Sequence, residues 1–192
     1  AEQQGPALQR TTDEQEATQR ERQKAATNAE AIRKAAAPAQ ADHPYLVRKQ
    51  VAPTATLLEI EASAAASILG YPPKSGGDLL TGRLLVVPVE QEGKLSTLEL
   101  IDGDGRKAAL AGRGTKIGGY WATEPLPDGN GQDITLLIGE GVATVLSASE
   151  ANGCKAIAAL SSGNLPVVAK AMRQRYPGAK LVILADLVKA DG

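Results

Sequence analysis

The apolar positions of this chain change spacing twice. The changes divide it at residues 1–41, 42–132 and 133–192. The first stretch is rich in Ala, Gln, Glu, Arg and Lys and has almost no large apolar residue besides Leu8 and Ile32. Good helix formers run from Asp13 to Ala37, where Pro38 stops them. Glu16 and Arg20, and Glu30 and Lys34, sit four apart in the favourable order for ion pairs. Ala25, Ala29, Ile32 and Ala36 form one weak apolar stripe. A stripe made almost wholly of alanine predicts a solvated helix, a polar lead-in or linker, rather than a docking helix.

Residues 42–132 read as a mixed segment. His43-Pro44-Tyr45-Leu46 predicts an extended or turn stretch. A short helix is expected over Ser63–Leu69, closed by Gly70 and two prolines, and a loop over Lys74–Asp78. Strand signals follow. Leu84–Val89 is a continuous apolar run, and Leu95–Ile101 suits a buried strand. Asp102-Gly103-Asp104-Gly105 is a strong turn, and Arg106–Leu110 and Ile117–Trp121 complete an antiparallel meander.

From residue 133 the pattern becomes strand, helix, strand, helix, strand. Ile134–Ile138, Lys155–Leu160 and Leu181–Ala185 are the strands. Gly141–Ala151 and a helix running from Asn164 to Tyr176, with Pro166 in its first turn, are the helices. This order predicts a right-handed parallel α/β unit, so the fold class is α/β, with an antiparallel part and a helix ahead of it. Ligands of such sheets sit at the carboxyl ends of strands. Glu140 and Asp186 fall at two of those ends.

Composition narrows the chemistry. The 192 residues carry one Cys and one His, which excludes an internal disulfide and a His/Cys zinc site. A net charge of −1 gives no overall cationic field, so any nucleic-acid contact must come from a local basic patch. Aromatic residues are 3%, so base-stacking platforms are few. No apolar run is long enough for a membrane span and no start reads as a signal peptide, so a reduced cytoplasmic setting is expected. His43, set beside Pro44 and Tyr45, reads as a structural or capping residue.

Two carboxylates at neighbouring strand ends can converge on Mg²⁺, which steadies charge in phosphoryl transfer. The glycines flanking Glu140 allow close approach of a phosphate, and the following helix points amides toward an anion. The plainer alternative is that Asp186 ends a strand and Glu140 favours a helix start.

Leu136-Leu137-Ile138-Gly139-Glu140-Gly141 followed by Leu181-Val182-Ile183-Leu184-Ala185-Asp186 resembles a Toprim domain, shared by bacterial-type primases, topoisomerases and some nucleases. Upstream, His43–Leu46 with Arg48 and Lys49, Leu84–Pro88, Asp102–Lys107 and Gly112–Tyr120 resemble the primase-like Toprim proteins of plasmids and phages, as does Ser161–Leu165. The resemblance implies Glu140 as general acid/base and Asp186 as a ligand of Mg²⁺ or Mn²⁺, with no zinc. The second Asp of the metal motif is replaced by Val188, and Asp191 is a further candidate ligand out of register. The chain stops at Gly192, so an incomplete Toprim-like unit is expected.

Arg113, Lys116, Tyr120 and Trp121 lie in or beside the glycine-rich stretch Gly112–Gly119. Cations among glycines suit a phosphate backbone, and an aromatic suits a base; the alternative is a solvated hairpin with Trp121 as a core anchor. Arg48 and Lys49 are weaker candidates of the same kind. Two main readings stand. One is a primase-type nucleotidyltransferase making RNA primers on single-stranded DNA from nucleoside triphosphates, in replication or conjugation of a mobile element, beside a helicase or relaxase module. The other is a degenerate Toprim module that binds nucleic acid or a replication partner without chemistry, as Val188 favours. A nuclease would use the same carboxylates.

Overall fold

A computed structural model describes residues 5–110 and 116–185, with side chains from residue 13 onward. Helix α1 (Gly5–Ala35) carries Glu30 paired with Arg33 and Lys34 on its polar face. Strand β1 (Ala37–Pro38) then pairs with β2 (Leu58–Glu61) at the sheet edge, where a proline's missing N–H does no harm. Between them, His43–Leu46 departs from the extended expectation. It opens α2 (Pro44–Lys49), with His43 as N-cap accepting from the Tyr45 N–H at 3.3 Å. A proline in the first helical turn and a capping side chain together outweigh the pre-proline bias at His43.

Helix α3 (Ala62–Leu69) ends at Gly70 in the left-handed region, at φ 76°. The expected loop that follows is a two-residue ribbon, β3 (Lys74–Ser75) with β4 (Asp78–Leu79). Strands β5 (Arg83–Gln91), β6 (Lys94–Ile101) and β7 (Lys107–Ala109) complete a five-stranded antiparallel sheet in the order β1-β2-β5-β6-β7. Alternation along β5 and β6 gives the sheet two apolar faces. Leu84, Val86, Leu98 and Leu100 pack with Ala29 and Ile32 of α1 and Ala65 and Leu69 of α3. The solvated-stripe expectation is thereby corrected, because Ala25, Ala29 and Ile32 are fully buried. Alanines let the helix backbone lie close to the sheet, so a weak stripe still docks.

The second sheet follows the sequence pattern. It contains β8 (Trp121–Ala122), β9 (Thr135–Gly139), β10 (Lys155–Ala158) and β11 (Lys180–Ile183) in the order β11-β9-β10-β8. Its first three strands are parallel, and β8 pairs antiparallel to β10, so the sheet is mixed. The strand expected over Ile117–Trp121 therefore begins later and leaves the meander; a bridge between Glu90 and Tyr120 is its link to β5. Helix α4 (Val142–Asn152) packs on the face bearing Leu137, and α5 (Leu165–Arg175) on the face bearing Leu136 and Ile138. Opposite faces are what two right-handed crossovers require when the chain steps from β9 to β10 and then back across β9 to β11. The remaining face of the first sheet, with Leu85, Val87 and Ile101, shares one core with Tyr45, Leu137, Val142 and Val145. Among the described residues no helix is long and apolar enough to cross a membrane.

Candidate functional site

Strand β9 is interior, with β10 on one side and β11 on the other. Its onward connection runs to β10 while β11 arrives on the opposite side, so the crevice expected of open α/β sheets lies at its carboxyl end. Glu140 is the first residue past that end, and it is exposed. Gly139 is small because its surroundings are close: a Cβ there would meet Val145 Cγ1 at 2.9 Å and Leu184 Cδ1 at 3.3 Å. Gly141 caps α4 without a side-chain bond, so no side chain of the cap residue covers the first-turn amides.

The wall beside Glu140 is built by the end of β10. The Ala159 and Leu160 N–H groups donate to the Gly139 and Glu140 carbonyls, each at 2.8 Å. Asn164 ties the Lys116–Gly119 turn to this wall. Its Nδ2 donates to the carbonyls of Lys116 at 3.1 Å, Gly119 at 2.8 Å and Ala159 at 2.7 Å. Its Oδ1 accepts from the Gly118 N–H at 2.7 Å.

Tyr45 packs in the shared core with Val142 and Val145 of α4. Burial pushes the Tyr45 phenol up and the Glu99 charge pushes the same way, while Arg48 and the Ala143 amide pull it back. Glu99 sits on β6 opposite Val87, 2% exposed, on the face turned to the shared core. Its Oε2 holds the Lys116 ammonium, and Lys107 Nζ lies 3.9 Å from its Oε1. Lys116 is thus anchored twice, by its carbonyl to Asn164 and by its ammonium to Glu99.

The other sequence candidates divide. Arg113, Asp186 and Asp191 lie outside the described residues. Arg48 stacks over the Tyr45 ring at 5.9 Å, whereas Lys49 is exposed at the end of α2. Tyr120 is buried and its hydroxyl accepts from Arg175 Nη1 at 3.2 Å, so its ring is a core element here. Trp121 is fully buried in the shared core, as the anchor alternative has it. His43 caps α2 through Nδ1, with Nε2 3.0 Å from the Arg83 carbonyl. Among the described residues no three His, Cys, Asp or Glu side chains converge as a metal site. Sequence reading missed Glu99, Lys107 and Tyr45. The readable sign of Glu99 was one acidic residue at the centre of Leu98-Glu99-Leu100-Ile101, where burial obliges a charge to find a partner.

No protein-family model matches the chain, and no solved structure matches it. Two proteins of Escherichia coli, each named DNA primase TraC, are 33% identical to it over 111 residues, which is 55% of this chain. The chain spans 10% of the length of one and 7% of the other. The chain is therefore similar, over about half its length, to a small part of primase-related proteins.

Proposed function

We propose that this chain carries the Toprim-like nucleotidyl-transfer site of a primase, making RNA primers on single-stranded DNA. The observation that carries the reading is the similarity to proteins named DNA primase. The placement of Glu140 at the carboxyl end of an interior parallel strand supports it. In this reading the 3′-hydroxyl of one nucleotide attacks the α-phosphorus of the next, and pyrophosphate leaves. Glu140 takes the hydroxyl proton. The first-turn amides of α4, Lys116 and Arg113 receive the phosphates. A divalent cation, Mg²⁺ or Mn²⁺, supplies charge neutralisation at the phosphates when bound, with Asp186 and Asp191 as its proposed ligands. Arg48 and Lys49 extend the basic surface toward template, and a helicase or relaxase module is the proposed companion.

Val188 in place of a second aspartate favours a second reading, a binding module without chemistry. Primer synthesis on a single-stranded template with nucleoside triphosphates and Mg²⁺ separates the two. The first reading expects product that falls by about a hundredfold or more in Glu140→Gln. Nucleotide or DNA binding with no product supports the second, and undiminished product in Glu140→Gln overturns the role of Glu140.

A further inference from the structure

The least explained group in the molecule is Glu99. A carboxylate almost never lies fully buried in a sheet unless something fixes it there, because desolvation disfavours its charge. Among the described residues Oε1 makes no hydrogen bond and has Lys107 at 3.9 Å, while Oε2 is given to Lys116. One carboxylate thus faces two ammonium groups and leaves a local positive excess in a chain whose net charge is −1. Both lysines keep part of their surface, 29% for the Lys116 side chain and 42% for Lys107.

A line of hydrogen bonds joins this cluster to the crevice. It runs from the Lys116 carbonyl through Asn164 to the Ala159 carbonyl, and from the Leu160 N–H to the Glu140 carbonyl. Lys116 is thereby tied to the strand end that carries Glu140.

We propose that Glu99 is a positioning residue which holds the ammonium groups of Lys116 and Lys107 side by side as a receptor for the phosphates of a nucleotide. This rests on the reading of the crevice as a nucleotidyl-transfer site and adds to it a second cation and the group that aims both. A lysine on a flexible stem loses rotamer freedom when it binds an anion. Glu99 imposes that ordering before the ligand arrives, so the cost falls on folding rather than on binding.

The proposal makes a prediction opposite in sign to simple charge counting. Glu99→Gln removes a negative charge beside two cations, so Coulomb attraction alone would tighten the hold on an anion. Loss of positioning instead weakens it. The experiment measures binding of ATP, inorganic triphosphate and a short single-stranded oligodeoxynucleotide to the wild type, Glu99→Gln, Lys116→Met and the double variant. Thermal unfolding is followed in parallel. The expected result is binding of ATP and triphosphate weakened by about tenfold in Glu99→Gln, and a smaller further loss when Glu99→Gln is added to Lys116→Met, where Lys107 alone is left for Glu99 to hold. A loss confined to the oligodeoxynucleotide supports the same receptor with backbone phosphate as its ligand. Unchanged or tighter binding in Glu99→Gln, with wild type binding normally, overturns the positioning role and leaves the nucleotide reading intact. Failure of the wild type to bind any of the three overturns both. Should Glu99→Gln not fold, Glu99→Asp keeps the charge, withdraws it by one methylene and carries the same expectation.

Discussion

Leu160 donates its N–H to the Glu140 carbonyl at 2.8 Å while holding a left-handed backbone, at φ 68°. A branched, bulky residue pays for that conformation, and such strain is kept where the surrounding structure dictates it. The side chain is buried in the shared core, which keeps Leu at the position. Both Leu160→Ala and Leu160→Gly lose that burial, yet only glycine relieves the backbone. We expect Leu160→Gly to be the more stable of the two by about 1 kcal/mol, the reverse of the usual order. Urea titration of the two variants checks this.

Asn164 holds together three segments that share no regular hydrogen-bond ladder at that point. Asn164→Ala leaves the Gly118 N–H and the carbonyls of Lys116, Gly119 and Ala159 without its bonds. We expect a loss of about 2–3 kcal/mol in denaturant unfolding. Asn164→Asp retains the acceptor for Gly118 but sets a carboxylate against the carbonyls, and is expected to be no better.

Gly139→Ala places a methyl group 2.9 Å from Val145 Cγ1 and 3.3 Å from Leu184 Cδ1. Val145 belongs to the shared core and Leu184 packs against it, so neither moves freely. The expected cost is about 1–3 kcal/mol. Faster amide exchange should appear at Leu184, whose N–H donates to the Ile138 carbonyl at 2.8 Å.

His43 gives the molecule a pH dependence of definite sign. Burial holds its pKa below the usual 6.5, against the opposing pull of the Arg83 carbonyl and the charges of Glu59 and Asp42. The unfolded chain therefore takes up a proton before the folded one does. Stability from the neutral ring is complete above about pH 6.5 and declines as pH falls from there toward the lower folded value. Asp42, held below its usual 3.8 by Arg83, acts in a separate and more acid window. His43→Asn keeps a capping acceptor without the titration, so its unfolding free energy should be flatter between about pH 7 and 5.

The parallel unit was legible because its signals were local. Apolar runs of strand length, Gly141 and Gly153 at the ends of α4, and Pro166 in the first turn of α5 all sit within one element. The position of Glu140 just past the end of β9 was legible for the same reason, because it follows such a run. What escaped needed partners far along the chain. The helix at Pro44–Lys49 is helped by His43, whose ring is steadied by Arg83. The burial of the alanine stripe in α1 depends on a sheet formed by residues beyond position 57. Glu99 and Lys116 meet across 17 positions, and no periodicity reports such a pair.

The central claim is that nucleotide binds at the carboxyl ends of β9 and β10. Its most direct test is a map of backbone amide shifts on addition of ATP with Mg²⁺ to the isotopically labelled protein. The account predicts shifts concentrated at Gly139–Thr144, at Lys116–Gly119 and at Leu160, weakened together in Lys116→Met. Shifts concentrated instead around the cavity of about 560 Å³ lined by Arg33, Pro88, Leu126 and Arg175, with the β9 end silent, would contradict it.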